Sequence, residues 1–277
     1  MPTTISNHQM RRLVVTTAAN DNAAIEDEAQ KLSHELNGVY VRRSGRSIKS
    51  ILTTAAADRL LIVRRDRYSL HDLSGNEYQF HPNLVIVRAM NYKKTGSDHF
   101  LEAADLREGD KVIDCTVGFA TEALLASLQV GETGEVVGLE SVPELAVVTR
   151  EGTRKYTLIQ KGLEAALRRI VVLNWDYREY LARCLTSSAD VVYFDPFFDE
   201  TLEKSAQSIG ALAAFGNRAP LDSRSILEAQ RVARRSVIIK HPKSCRLPKE
   251  TEDLVVREVS GRKSPVTFAV IASLRSR

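Results

Sequence analysis

The chain has 277 residues, 43% of them hydrophobic and 27% charged, which suits one large buried core plus a smaller appendage. No apolar run approaches the ~20 residues of a membrane span, and the N-terminus lacks an apolar signal region, so no membrane role or targeting segment is expected. Three widely spaced cysteines (Cys115, Cys184, Cys245) without a C-x-x-C, and six histidines without ligand spacing, argue against a disulfide framework or a metal and for a reducing cytoplasm.

The net charge of +4 is unevenly spread. Residues 1–100 carry 14 Lys/Arg against 10 Asp/Glu, whereas residues 101–277 carry 25 of each. The excess lies in two clusters, Arg42, Arg43, Arg46 and Lys49, and then Arg64, Arg65 and Arg67. Such clusters are either a solvated face or contacts for phosphates.

In chain order, Leu13 to Ala18 reads as a first strand. Asp21 to Asn37 reads as a helix, with Ile25, Ala29, Leu32 and Leu36 on one face and Gly38 as its stop. Arg59 to Val63 and Tyr68 to Leu70 read as strands, and "LSGNEYQFHPN" as a turn with one more short strand. This small basic α+β unit is expected to occupy residues 1–82. The second unit, 83–277, opens with Leu84 to Met90 and a polar loop, "KKTGSDHF". Strict alternation follows: helix Asp98 to Leu106, strand Lys111 to Cys115, helix Thr121 to Gln129, strand Glu135 to Glu140. "SVPE" then reads as a capping box, with Ser141 as cap and Glu144 as its reciprocal partner, opening a helix toward Tyr156. Ile170 to Asn174, Val191 to Phe194 and Ser236 to Lys240 are further strands, with a helix at Ser223 to Arg234. "LVVREVSG" and "TFAVIASL" form a terminal hairpin turning near Pro265. The pattern predicts an α/β fold: a Rossmann-like, doubly wound and mostly parallel sheet, with antiparallel edge strands from the hairpin.

In such sheets ligands bind outside the carboxyl ends of the strands. Four strands end on informative residues: Asp114-Cys115-Thr116-Val117-Gly118, then Glu140, then Asn174-Trp175-Asp176, then Asp195-Pro196-Phe197-Phe198. "TVGFAT" lacks the glycines of a dinucleotide fingerprint, since Gly118 stands alone, and would cradle a pyrophosphate weakly. S-adenosylmethionine, which has no phosphates, makes smaller demands on that turn. Glu140 suits ribose hydroxyls, and Asp176 suits an adenine amino group. Acids at strand ends also serve as helix caps, so each is weak evidence singly and stronger jointly. Asp195 raises a sharper question, because an acid between Phe194 and Phe197 is costly to bury. Pro196 ends the strand, having no N–H to give the ladder.

Residues 98–242 resemble a class I S-adenosylmethionine-dependent methyltransferase. Asp195-Pro196-Phe197-Phe198 is similar to the (Asp/Asn)-Pro-Pro-(Phe/Tyr) motif of amino-methylating members. "DCTVGFATEALLAS", "GLES" and "VVYFDPFF" resemble stretches of the small-subunit rRNA methyltransferase J group and its uncharacterised relatives, which methylate the exocyclic N2 of a guanine. The resemblance implies cofactor contacts at Asp114, Thr116, Gly118, Thr121, Glu122, Glu140, Ser141, Asp176, Tyr177 and Asp195. It implies catalytic roles for Asp195, Pro196, Phe197 and Phe198. The Asp195 carboxylate and Pro196 carbonyl would orient a base amine, and Phe198, or less readily Phe197, would stack on the base. Here Thr121-Glu122 stands where the group has Arg-Asp, Ser141 replaces an Arg, and Phe197 replaces a Met or Pro.

The expectation is thus a cytoplasmic N-methyltransferase using S-adenosylmethionine, without a metal, acting on rRNA or the small ribosomal subunit. Arg42, Arg43 and Arg46 would contact RNA phosphates. Cys115 is expected to be a packing thiol. The rivals are a DNA or small-molecule amino-methyltransferase, a non-catalytic RNA-binding protein with a vestigial cofactor fold, and, disfavoured by the glycines, a NAD-dependent dehydrogenase.

Overall fold

The computed structural model describes residues 12–18, 22–198 and 207–275, which fall into two compact units, Met1–Gln79 and Phe80–Arg277. The first unit holds β1 (Leu13–Thr17), α1 (Ala23–Glu35), β2 (Val39–Tyr40), α2 (Ile48–Thr54), β3 (Arg59–Val63), β4 (Tyr68–Asp72) and β5 (Glu77–Gln79). Its sheet has the order β2-β1-β3-β4-β5, with β1 parallel to β2 and β3, and β4 and β5 folding back antiparallel. β1 and β3 are buried at every position, which accounts for the apolar runs Leu13 to Val15 and Leu60 to Val63 within them.

Helix α1 starts at Asn22, whose side chain accepts from the Ile25 N–H, and buries Ile25, Ala29 and Leu32 as their spacing predicts. Asp21 lies outside the described residues. The helix does not end on Gly38 as expected. Asn37 takes the left-handed conformation (φ 51°), and the Gly38 N–H returns to the Ser33 carbonyl. Gly38 serves close approach instead, since a Cβ there would stand 2.9 Å from the Leu13 carbonyl oxygen. The sequence reading also missed β2 and α2. Two residues show no period, and a seven-residue helix capped by Ser47 is hidden among arginines.

The second unit begins with α3 (Asn83–Thr95), α4 (His99–Ala104), β6 (Lys111–Asp114), α5 (Thr121–Val130), β7 (Glu135–Glu140) and α6 (Pro143–Lys155). It continues with α7 (Lys161–Arg169), β8 (Ile170–Asn174), α8 (Tyr177–Arg183), β9 (Ala189–Phe194), α9 (Gln207–Phe215) and α10 (Ser223–Val232). It closes with β10 (Ala233–Pro242), α11 (Lys249–Glu252), β11 (Val255–Val259) and β12 (Val266–Ala272). The seven-stranded sheet has the order β11-β12-β10-β9-β6-β7-β8, parallel from β10 to β8, with β12 antiparallel to both its neighbours. This is the expected doubly wound α/β sheet. The terminal hairpin is not wholly an edge, because β12 inserts between β10 and β11.

Two local readings are corrected. The stretch from Lys93, expected to be a loop, belongs in part to α3, which continues through Lys94 and Thr95 and stops at Gly96 (φ 69°). Ser141 does not cap α6. The N-cap is Val142, Pro143 occupies the first turn, and the Glu140 carboxylate takes the Val142 N–H. Proline at the first helical position needs no N–H partner, so the box was unnecessary.

Successive strands run outward from β6 to β7 and β8, and the chain then crosses to β9 and β10 on its other side. The winding reverses between β6 and β9, which opens a crevice at their carboxyl ends. Val191, Val192, Tyr193 and Phe194 of β9 are buried, as are Val237 to Ile239 of β10. This core holds the two strand ends in fixed register.

Candidate active site at the carboxyl edge of the large sheet

Asp195 follows β9 where the ladder ends. Phe194 pairs in register with Ile239 of the parallel neighbour β10, so the next residues on each strand, Asp195 and Lys240, stand side by side. Lys240 Nζ lies 2.7 Å from Asp195 Oδ2. The Asp195 N–H donates to Thr116 Oγ1 at 2.7 Å, which ties the ends of β6 and β9 together. Among the described residues Asp195 Oδ1 has no protein donor. Burial pushes the Asp195 carboxyl up from its ordinary value; Lys240 opposes that and Glu122 adds to it.

Lys240 has a second acid, Glu122 Oε1, at 3.5 Å. Arg88 Nη1 donates to the same Glu122 oxygen at 2.7 Å, and Arg88 is forked onto Asp98 at 3.0 and 3.1 Å. Glu122 is therefore engaged within the protein, where the resemblance places a cofactor contact. Arg88 and Lys240 were not among the expected site residues.

Along the crevice, Asp114 is buried and accepts from the Thr116 N–H at 3.0 Å. Burial, opposed by that hydrogen bond, raises its pKa to about 8. The following turn carries two left-handed residues, Gly118 (φ 45°) and Ala120 (φ 55°). Val117 N–H donates to the Leu139 carbonyl, and Thr149 Oγ1 to the Gly118 carbonyl, so the turn is pinned over β7. Gly138 makes room for it, since a Cβ there would lie 2.5 Å from Val117 Cγ2. Thr121 opens α5, whose start has no side-chain cap.

Glu140 ends β7 and accepts from the backbone N–H groups of Val142 and Ser141, yet burial raises its pKa to about 7. Ser141 Oγ lies 3.3 Å from Asn217 Nδ2, a partner the sequence did not suggest. Asp176 caps α8 and is gripped by Arg178 at 2.9 and 2.6 Å, which holds its carboxyl below the ordinary range. The capping role is thus realised; a carboxylate has further lone pairs with which to accept. Tyr177 packs edge-on against Phe194, 5.3 Å between centroids, and burial takes its pKa to about 12.

The two rings after Pro196 diverge. Phe197 reaches Gly216, where a Cβ would stand 3.0 Å from its Cε2, while Phe198 lies half-buried with its ring 6.3 Å from that of His241. Cys115 is buried and its thiol is pushed well up by burial, as suits packing and not nucleophilic work.

The first unit gathers its arginines at one edge. The loop after β2 carries Arg42, Arg43 and Arg46, and the loop after β3 carries Arg64 and Arg67; both leave the carboxyl end of the parallel strands. Arg42 pairs with Glu26 at 3.1 Å, and Arg43 and Arg46 donate to each other's carbonyls at 3.3 Å. Burial lowers the Arg64 pKa, and the nearby charges of Arg67 and Arg43 lower it further.

The crevice of the large sheet is rich in acceptors (Asp114, Glu140, Asp176, Asp195), and its cations Lys240 and Arg178 are already held by carboxylates. Such a set of acceptors fits a ribose and a cationic ligand and disfavours a pyrophosphate. S-adenosylmethionine, with hydroxyls, an amino group and a sulfonium, matches it.

Comparison with known proteins agrees. A family model described as "Putative SAM-dependent methyltransferase" matches residues 50–262. An uncharacterised Bacillus subtilis protein, YpiP, is 38% identical over 234 residues, which is 84% of this chain and 90% of that protein. A SAM-dependent methyltransferase from Neisseria gonorrhoeae superposes with a TM-score of 0.62 over 94% of this chain and 96% of its own, at 17% identity, a likeness of fold. The chain belongs to this family: it is a class I SAM-dependent methyltransferase, and S-adenosylmethionine is its cofactor.

Proposed function

We propose that the protein methylates the exocyclic amine of an RNA base, and specifically a guanine N2 of small-subunit rRNA, as in the J-type group it resembles. The observation that carries this reading is the Asp195-Pro196-Phe197-Phe198 turn at the winding reversal, with the Asp195 Oδ1 acceptor facing no protein donor among the described residues. The cofactor supplies an electrophilic methyl group on a sulfonium. The protein's task is then to present a poor nucleophile. A base amine has its lone pair drawn into the ring; hydrogen bonds from its N–H groups to Asp195 Oδ1 and the Pro196 carbonyl would orient that lone pair outward. Phe198 supplies a face for a base removed from its stack. Glu140 and Asp176 are the acceptors for ribose and adenine, and the Asp114–Ala120 turn closes over the remainder.

The arginines of the first unit support RNA over a small molecule as substrate. Two clusters, apart in sequence, leave one sheet edge, and their mutual repulsion is relieved when phosphates approach. The test is to incubate the protein with labelled cofactor and rRNA from cells lacking the gene, then digest and separate the nucleosides. Label in N2-methylguanosine is expected from the small subunit or its rRNA. Label in N6-methyladenosine or N4-methylcytidine would move the target base, and label in DNA alone would end the RNA reading.

A further inference from the structure

The charges behind Asp195 form a chain of alternating sign. Asp98 holds Arg88 at 3.0 Å, Arg88 holds Glu122 at 2.7 Å, Glu122 lies 3.5 Å from Lys240, and Lys240 lies 2.7 Å from Asp195. From Glu122 the chain runs outward. The Glu122 side chain is 7% exposed, that of Lys240 22%, and that of Asp195 36%. Asp98 at the α4 cap, Arg88 of α3, Glu122 of α5 and Lys240 of β10 thus form a line that ends on Asp195 Oδ2, just beyond β9.

An ion pair in the interior is weak evidence for stability, because desolvation offsets the attraction. Its value lies in what it fixes. We propose that Lys240, braced by Glu122 and through it by Arg88, is a positioning residue for methyl transfer: it keeps the Asp195 carboxylate ionised and occupies Oδ2, so that Oδ1 alone is offered to the substrate amine. The assignment rests on the reading of Asp195 as the amine's acceptor. Protonated, that carboxyl would carry a donor and lose acceptor strength. Lys240 is not the base of the reaction: burial lowers its pKa, but Asp195 and Glu122 outweigh burial and raise it, so it stays a fixed cation. The other groups acting on Asp195 are Glu122, Arg88, Asp114 and the buried Tyr193 phenol. Glu122 adds negative charge, which strengthens the need for Lys240.

Lys240→Met should therefore move the Asp195 titration upward by about 1–3 pH units, the usual influence of one adjacent opposite charge. Carboxyl 13C resonances, with Asp195 assigned by its loss in Asp195→Asn, read this directly and need no substrate. Lys240→Arg keeps the charge and should leave the titration near its original place. In methylation of rRNA, the acid limb of the pH–rate profile should shift upward by the same amount in Lys240→Met and stay in Lys240→Arg. Asn at 195 needs no counter-cation, so Lys240→Met should cost less than threefold in an Asp195→Asn background, against tenfold or more at pH 7 in the unaltered protein. An unmoved Asp195 titration in folded Lys240→Met overturns the proposal, as does an equal loss in both backgrounds. If the unaltered protein methylates no RNA, the proposed function falls, and the carboxyl titration alone upholds or overturns the role of Lys240.

Discussion

Glu140 offers the sharpest test of how the cofactor is held. Its carboxylate accepts from two backbone N–H groups, yet burial raises its pKa to about 7 in the ligand-free protein. If the ribose hydroxyls donate to the ionised form, binding at low pH must first remove a proton. A pKa of about 7 leaves roughly a tenth of the protein ionised at pH 6 and nine-tenths at pH 8, so affinity should rise about tenfold between them, or ~1.4 kcal/mol. S-adenosylhomocysteine is the suitable ligand, being free of the sulfonium. Calorimetry at pH 6, 7 and 8, in buffers of different ionisation enthalpy, should show affinity rising with pH and a proton released near pH 6. Glu140→Gln should flatten the part due to this residue; what remains belongs to Asp114, which titrates near 8. The sign for stability is opposite. A carboxyl raised in the folded state stabilises the ligand-free fold below its unfolded pKa, and that contribution is lost as pH rises through about 7. Affinity that is flat with pH, or a slope between pH 6 and 7 that Glu140→Gln leaves undiminished, would refute the assignment.

Three further outcomes follow from the geometry. Asp195→Ala should lower single-turnover methylation by ~10²–10³ with RNA affinity nearly unchanged, and Asp195→Asn should be milder; full activity in a folded Asp195→Ala would remove the proposed acceptor. Gly138→Ala places a Cβ 2.5 Å from Val117 Cγ2 and should cost about 1–3 kcal/mol in denaturant unfolding, largely recovered by adding Val117→Ala; an unchanged midpoint would show that the turn is not packed as described. Charge-neutral replacement of Arg42, Arg43 and Arg46 should weaken RNA binding and reduce its salt slope by about one unit per lost phosphate contact, with cofactor affinity unaltered; an unchanged slope makes them a solvated face.

The strands of the large sheet could be read because a buried parallel strand is a short β-branched run, and a polar residue or proline must end it. That rule located Asp114, Glu140 and Asp195 at the crevice before any contact was known. It failed where the signal was shorter than a period, as in β2, or where the chain had a cheaper solution than the expected one, as at Val142-Pro143. The partners were harder. Glu122 and Lys240 lie on α5 and β10, far apart in sequence, and only the order β10-β9-β6 brings them together.

One clue to that partnership was nonetheless present. Val237, Ile238 and Ile239 run into Lys240 as Val191 to Phe194 run into Asp195, and the two strands are parallel neighbours. A lysine and an acid each closing a buried run are costly to desolvate singly. Placed one step beyond the paired residues Ile239 and Phe194, they meet at 2.7 Å and compensate each other. The apparent misfit of an acid between aromatic rings is therefore resolved by register: the sheet that buries Phe194 also delivers the cation that opposes the effect of burial on Asp195.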